Sequence, residues 1–154
     1  MSNLNYTRTI SVNAAPESAY AAVTVGFENW WTVPDRTFQQ VGDQAKFMFP
    51  PGESFWTLEA VKLDPGTRVE TVCVDAHHLH EGLPPEVEKE WLGTRIVWSI
   101  VGKDGYTDIT VEHEGLIPSL NCYEVCEAGW DFFFVSSLKT YLNTGEGRPH
   151  QASG

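Results

Sequence analysis

Apolar and polar residues alternate along most of the chain with the two-residue period of β-strands. The segment YTRTISV at 6–12 places Ile10 and Val12 on one face and predicts the first strand. An alanine-rich stretch with Pro16 in its first turn then predicts a short helix that ends near Gly26. The segment FENWW, which follows directly, predicts a second short helix or turn.

Strand patterns separated by turn signals fill the middle of the chain. Gly42 and Asp43 have the composition of a tight hairpin turn inside the segment RTFQQVGDQAKFMFP. The turn sequences DPG at 64–66 and KDG at 103–105 each join two further strand patterns. Together with a polar loop at 79–90, these signals predict about six or seven strands. Because most connections are short, we expect the sheet to be antiparallel.

The pattern changes to a helical period after Pro118. Ser119 is a favourable N-cap, and the residues that follow run for about six turns without proline. Large apolar residues recur at three- and four-residue spacings, so one side of this helix should lie against the sheet. Gly145 and Gly147 end the helix, and the remaining residues predict a flexible tail at 146–154.

These elements predict a single α+β domain over residues 1–145. The expected fold is a curved antiparallel sheet wrapped around a long C-terminal helix, with two short helices after the first strand. Because the sheet curls and the helix crosses its open side, the space between them can exceed what side chains fill.

Composition and charge narrow the function classes. The chain has 154 residues and a formal net charge of −11, so we predict no nucleic-acid or membrane partner. It shows neither a secretory leader pattern nor an apolar stretch of the ~20 residues that span a bilayer. Three cysteines cannot all pair within one chain, which favours a reducing cytoplasm. Aromatic residues make up 12%, with six tryptophans, which is enough to fill a large core or to line a cavity.

Three segments resemble the START-like helix-grip superfamily, also called SRPBCC. They are TISVNAAPESAYAAV near the start, the pair Trp30 and Trp31, and the closing GWDFFFVSSLKTYLNTGEG. The last segment is similar to the branch of homologues of the heat-shock-protein-90 ATPase activator. The resemblance covers about residues 4–145 and implies a hydrophobic cavity between sheet and helix, which in different members binds lipids, sterols or polyketides or serves catalysis. The branch name implies chaperone activation, but we match no chaperone-docking motif.

The strand period assigns candidate residues to such a cavity. In TDITVEHEG at 107–115 the acidic residues share the face that belongs in water, so Ile109, Val111 and His113 should point toward the helix. The inward faces of the other strands and of the helix complete the predicted ligand-binding set: Phe47, Phe49, Trp98, Ile100, Ile109, Val111, His113, Trp130 and Phe134. The alternative is a filled core in which a hydroxyl or carbonyl satisfies His113. The residues leave both alternatives open.

The segment DAHHLHEG at 75–82 holds three of the five histidines. His78 and His80 would share one face of an extended strand and could chelate a metal, with Asp75 or Glu81 as a third ligand. No HExxH motif or matched distant histidine pair accompanies them. We therefore predict that these two histidines form a cavity rim, and we predict neither a metal nor another cofactor.

Cys122 and Cys126 stand four residues apart on the predicted helix, a spacing that could also suggest a metal site. Only one other cysteine is present, and no CxxC pattern occurs. We therefore interpret both residues as small packing side chains.

The sequence thus predicts a cytoplasmic protein that holds a small, mostly apolar ligand under its long helix. Two alternatives stay open. One is an enzyme, such as a cyclase, hydrolase or lyase, that acts on an aromatic or polyketide-like substrate with His113 as acid or base. The other is a co-chaperone or another protein-interaction role. A homodimer is left open as well.

Overall fold

A computed structural model describes residues 5–49, 53–79 and 82–150 of the protein. As predicted, two short helices follow the first strand and one long helix ends the fold. The strands are β1 (Tyr6–Val12), β2 (Gln44–Met48), β3 (Phe55–Asp64), β4 (Arg68–His77), β5 (Arg95–Lys103) and β6 (Tyr106–Glu114). The helices that precede the long one are α1 (Pro16–Ala22) and the 3-10 helices Phe27–Asn29 and Pro85–Lys89.

The six strands form one antiparallel sheet in the order β1-β6-β5-β4-β3-β2. From β2 to β6 each strand pairs with the next one in sequence, whereas β1 pairs with β6 at the edge. Between β3 and β4 the register shifts at Thr57/Leu58 and again at Ala60/Lys62. Such bulges bend a sheet, which helps it to curve toward the helix. The predicted α+β fold with an antiparallel sheet and a long C-terminal helix is confirmed.

The two faces of the sheet differ as the strand period predicts. In β6, Ile109, Val111 and His113 are buried, whereas Glu112 and Glu114 are partly exposed. The neighbouring strand β5 continues the buried face with Ile96, Trp98 and Ile100. This inner face forms the wall against which the C-terminal helix packs.

The second strand is shorter than the sequence suggests. We predicted strand on both sides of Gly42 and Asp43, but β2 begins only at Gln44. The Asp43 carboxylate accepts hydrogen bonds from the backbone N–H groups of Gln39 (2.8 Å) and Gln40 (3.0 Å). These bonds fold the preceding residues into a turn, because a side-chain acceptor competes with the sheet for backbone donors.

The C-terminal helix consists of α2 (Tyr123–Trp130), a π-helical segment (Asp131–Leu138) and α3 (Lys139–Thr144). Its apolar side is buried against the sheet through Trp130 and Phe134, as predicted. A π-helical stretch widens the helix and is found frequently at functional sites. Here it directly follows the part of the helix that carries Trp130.

The helix begins later than predicted, at Tyr123 and not directly after Ser119. The cap comes from Glu90, whose carboxylate accepts hydrogen bonds from the backbone N–H groups of Cys122 (2.9 Å) and Asn121 (3.0 Å). Although burial opposes ionisation, these hydrogen bonds hold the pKa of Glu90 below its usual range. The prediction was wrong because the capping side chain lies 32 residues away from Cys122, where local spacing cannot reveal it.

A partly exposed cluster ties β1 to the helix. The Arg8 guanidinium lies 3.1 Å from a carboxylate oxygen of Glu127 and 3.1 Å from one of Asp131. The Tyr6 hydroxyl donates a hydrogen bond of 2.6 Å to Asp131. Burial and this hydrogen bond raise the pKa of Tyr6 well above its usual value. Each half-exposed ion pair contributes little to stability, so the cluster mainly orients the helix across the edge strand.

The residues after the helix pack back onto the protein. The backbone N–H of Arg148 donates a hydrogen bond of 2.7 Å to Ser137 Oγ. The backbone N–H of His150 donates to the carbonyl oxygen of Trp31 at 2.6 Å. This part of the predicted flexible tail therefore contacts the helix and the core, and residues 151–154 lie outside the described ranges.

Trp30 and Trp31, whose role the sequence left open, are core residues. The Trp30 indole N–H donates a hydrogen bond of 2.8 Å to the carbonyl oxygen of Ala22 in α1. Trp31 stacks on Phe47, with ring centroids 4.6 Å apart. The pair therefore joins the first helices to the inner face of the sheet.

The backbone conformation and close packing at Gly115, directly after β6, can be tested by substitution. Gly115 follows β6 with φ of 102°, and a Cβ there would lie 2.7 Å from Thr94 Cγ2. We expect Gly115→Ala to lower the free energy of unfolding by about 3 kcal/mol or more, because backbone strain adds to a steric clash. The control is Gly105→Ala, where φ is 89° and the added Cβ would meet no heavy atom within 4 Å. That change should cost only about 1–2 kcal/mol. Equal losses in urea unfolding would contradict the expectation.

Candidate functional site

A cavity of about 240 Å³ lies between one end of the sheet and the C-terminal helix. Its walls come from segments that are far apart in sequence. They are the residues after the first 3-10 helix, the ends of β2 and β4, the start of β3, the loop before β5, and the first half of the helix. The aromatic lining residues are Trp31, Phe49, Trp56, Trp91, Trp130 and Phe133. The other lining residues are Ser54, His78, Leu79, Val125, Cys126 and Gly129.

Four tryptophans form a continuous surface that we call the indole wall: Trp31, Trp56, Trp91 and Trp130. Trp91 and Trp130 are stacked, with ring planes inclined by 8° and centroids 6.1 Å apart. Trp56 lies 4.8 Å from Trp91, and Trp31 lies 5.2 Å from Trp130, again between centroids. Flat, polarisable faces of this kind favour contact with aromatic or other planar apolar molecules.

The cavity is weakly polar. None of the described lining residues carries a permanent charge. Ser54 and Leu79 satisfy each other, since the Leu79 backbone N–H donates to Ser54 Oγ at 2.9 Å. The Trp56 indole N–H is buried and has no hydrogen-bond partner among the residues that the structure describes. A buried unpaired donor of this kind costs about 1–3 kcal/mol.

The predicted ligand-binding residues divide into two groups. Phe49 and Trp130 line the cavity, together with the predicted rim residue His78. The others are buried but do not line this cavity: Phe47, Trp98, Ile100, Ile109, Val111, His113 and Phe134. They pack against one another and against Phe27 in the middle of the sheet, so the unfilled space lies at its end. Whether either group binds a ligand stays a prediction.

His113 is a fully buried core histidine behind the indole wall. Its Nδ1 accepts a hydrogen bond of 3.2 Å from the Trp130 indole N–H. Its Nε2 lies 2.8 Å from Thr94 Oγ1, which itself donates to the carbonyl oxygen of Trp91 at 2.6 Å. Since Nδ1 must accept, the proton lies on Nε2 and is donated to Thr94. Burial lowers the pKa of His113 to about 3, so the imidazole is neutral at physiological pH.

Several lining residues were missed by the sequence argument. Trp56 shares its buried face with Leu58 and Ala60 in β3, so the strand period could have revealed it. Trp91 lies in the loop before β5, where no period exists. Gly129 has no side chain, and only the tertiary structure shows the open space beside it.

No family model matches the sequence, and no curated protein matches it either. Among solved structures, the chain is similar to the Aha1 dimer from Colwellia psychrerythraea, with a TM-score of 0.73 and 26% identity over 94% of this chain and 100% of that one. It is also similar to DynU16, a protein of the dynemicin biosynthetic locus, with a TM-score of 0.71 and 20% identity over 95% of this chain and 49% of that one. A third similar structure is CalU16 from Micromonospora echinospora, with a TM-score of 0.55 and 14% identity over 82% of this chain and 69% of that one.

The protein has the START-like helix-grip (SRPBCC) fold. This confirms the resemblance seen in the first and last segments of the sequence, and the Aha1 structure agrees with the branch that the closing segment indicated. DynU16 and CalU16 are below 25% identical, so they inform the fold alone. None of the described helices is long and apolar enough to cross a bilayer.

In this helix-grip protein the histidine-rich segment divides between surface and cavity. His77 is partly exposed, and its Nδ1 lies 2.5 Å from a carboxylate oxygen of Glu88. His78 points the other way and is only 5% exposed, so it belongs to the cavity wall more than to a solvated rim. The second predicted rim residue, His80, lies outside the described ranges.

The fold brings His78 close to two buried cysteines at the start of the helix. One ligand atom from each of His78, Cys122 and Cys126 lies within 4.8 Å of the others. The distance along the chain between the histidine and the cysteines gives no sign of this contact. The sequence predicts that the cysteines are packing residues, and the structure adds an imidazole to their surroundings.

The depressed pKa of His113 predicts a specific loss of stability in acid. Below about pH 6.5 the unfolded chain gains a proton that the folded protein does not accept until about pH 3. The titration of His113 therefore leaves the free energy of unfolding unchanged well above pH 6.5. Below pH 6.5 it lowers that free energy by about 1.4 kcal/mol per pH unit.

The variant His113→Gln keeps an acceptor and a donor but cannot titrate. Between pH 6.5 and pH 5, we expect the unsubstituted protein to lose about 2 kcal/mol more of its unfolding free energy than His113→Gln does. Urea unfolding at both pH values measures the difference. Parallel losses in the two proteins would show that His113 is not held neutral.

Proposed function

We propose that the protein binds one small, uncharged, planar apolar molecule in the cavity beneath its C-terminal helix. The observation that carries this proposal is the indole wall, which borders space that side chains leave unfilled. Aromatic faces without contacts on one side lose dispersion energy, and a planar ligand would restore it. Mostly apolar walls with few polar groups are also the usual composition of small-molecule sites.

The volume of the cavity limits the ligand's size. It measures about 240 Å³, somewhat less than the ~300–1,000 Å³ that is common for drug-sized ligands. A dry cavity of about 150 Å³ is known to hold benzene. A ligand of one or two fused rings therefore fits better than a sterol or a long lipid chain.

The electrostatics of the cavity favour a neutral ligand. A charged molecule would lose its hydration without meeting a permanent opposite charge among the described lining residues. We therefore expect a neutral, planar aromatic compound.

The alternatives receive less support from the site. An acid–base role for His113 requires contact with a substrate, but His113 does not line this cavity and is separated from it by Trp91 and Trp130. The similarity to a dimeric Aha1 structure supports a homodimer as part of the proposal. The described residues give no specific observation that favours a chaperone partner.

A larger side chain at Gly129 would fill the cavity without disturbing the packing of the core. A Cβ built on this helical glycine meets no heavy atom within 4 Å, and the residue lines the cavity. We expect Gly129→Leu to weaken the binding of naphthalene at least tenfold, because the new side chain occupies the ligand's space. Folding should not suffer, since leucine favours a helix over glycine by up to about 1 kcal/mol. Titration followed by tryptophan fluorescence measures the affinity.

The matched control is Ala128→Leu, which adds similar bulk to the neighbouring, exposed position of the same helix. Its affinity for naphthalene should equal that of the unsubstituted protein. Unchanged affinity of Gly129→Leu for naphthalene would show that naphthalene binds outside this cavity. If naphthalene and its acceptor-bearing analogue quinoline both fail to bind the unsubstituted protein, the proposed function is contradicted.

The natural ligand is accessible by native mass spectrometry of the purified protein. We expect an organic adduct of low mass that disappears on denaturation, because only the folded cavity holds it. The same spectrum reports whether the chain is a dimer. An adduct of equal abundance on Gly129→Leu would exclude the cavity as its binding site.

A further inference from the structure

The cluster of His78, Cys122 and Cys126 has the chemistry of a metal site. All three residues are buried, with exposed fractions of 5%, 0% and 7%. His78 directly follows β4, whereas the cysteines lie at the start of the C-terminal helix, so two separate elements supply the ligands. Thiolate sulfur and imidazole nitrogen are the preferred ligands of zinc and other thiophilic ions.

The spacing of the three atoms suits one ion after small movements. They lie within 4.8 Å of one another. Sulfur and nitrogen ligands of one tetrahedral zinc ion are about 3.3–3.8 Å apart, which follows from bond lengths of about 2.0–2.3 Å. Side-chain shifts of about 1 Å therefore suffice to bring the three atoms to bonding distance.

Neighbouring groups hold the ligands in position. The Trp91 indole N–H donates a hydrogen bond of 3.2 Å to Cys126 Sγ. Glu90 fixes the backbone of Cys122 through the hydrogen bond that caps the helix. The backbone N–H of His78 donates to the carbonyl oxygen of Glu88 at 3.1 Å. Such outer contacts orient the ligands of metal sites.

We propose that His78, Cys122 and Cys126 bind one thiophilic metal ion, Zn²⁺, in the wall of the cavity. The two thiols give up their protons to the solvent as the sulfur atoms bind. Three protein ligands leave the fourth tetrahedral position for water or another donor, as in zinc sites that stay open. Because His78 and Cys126 line the cavity, an ion held between them lies beside the space proposed for the ligand.

The overall charge of the protein is compatible with this proposal. With a formal net charge of −11, the surface attracts cations and raises their local concentration. The cavity gives the ion a route to two of the three ligands. The proposal stands independently of the organic ligand, since the three side chains suffice to hold the ion.

The first experiment uses the unsubstituted protein, reduced and freed of metal by a chelator that is then removed. After Zn²⁺ is added to this metal-free protein, we expect native mass spectrometry to show one Zn²⁺ bound per chain. Co²⁺, used as a spectroscopic substitute, should produce a thiolate-to-cobalt charge-transfer absorption in the near ultraviolet. Failure to bind one Zn²⁺, or a cobalt complex without this absorption, would overturn the proposal whether or not any variant folds.

Variants then locate the ion. Cys122→Ala and Cys126→Ala should each weaken Zn²⁺ binding by more than about 100-fold, a larger loss than outer contacts produce. Cys73→Ala is the matched control, because Cys73 is the third buried free cysteine but lies outside the cluster. It should bind Zn²⁺ with unchanged affinity. Circular dichroism confirms that each variant is folded.

The opposite pattern of results would overturn the proposal. Zn²⁺ binding that survives in the folded double variant Cys122→Ala/Cys126→Ala would place the ion elsewhere, for example at the partly exposed pair His77 and Glu88. Failure of both naphthalene and quinoline to bind, with Zn²⁺ bound as expected, would contradict the proposed function and leave the metal site supported. The two proposals can therefore fail separately.

Discussion

The packing of Trp130 between helix and sheet is the contact on which the rest of the structure depends. Its ring is stacked on Trp91 and lies tilted against Trp31, and its indole N–H is held by His113 in the sheet. A side chain of this size fixes how the C-terminal helix crosses the inner face, because few positions can bury it and also satisfy its donor. The middle of the sheet is then filled, and the unfilled volume is displaced to the end where β4 stops and β5 begins.

The hydrogen bonds behind the indole wall explain why it stays in place. His113, Thr94 and the Trp91 carbonyl form a chain in which each donor meets one acceptor. A satisfied polar chain of this kind rigidifies its surroundings, whereas an unsatisfied one would be costly. His113 therefore shapes the cavity without touching its contents. The same burial that removes it from acid–base chemistry makes it a source of acid sensitivity.

A single junction creates both the cavity and the thiol–imidazole cluster. Glu90 caps the C-terminal helix and thereby sets where Cys122 and Cys126 lie relative to the end of β4. If the helix had begun at Ser119, the register of the cysteines against His78 would be different. The aromatic cavity and the candidate metal site therefore lie side by side at this junction, and His78 and Cys126 belong to both.

The sequence by itself determined the order of elements, the antiparallel sheet and the inward faces, because local periods report burial directly. It also named Phe49, His78 and Trp130 among the residues that line the cavity. It could not distinguish the filled part of the core from the cavity. Trp98 and Trp56 are the same residue type on inward strand faces, and only the packing shows that Trp98 lies in the filled core and Trp56 beside the cavity. It could not find Glu90 as the cap or join His78 to the cysteines. Those contacts depend on how β4, the loop before β5 and the helix start converge, which no local pattern encodes.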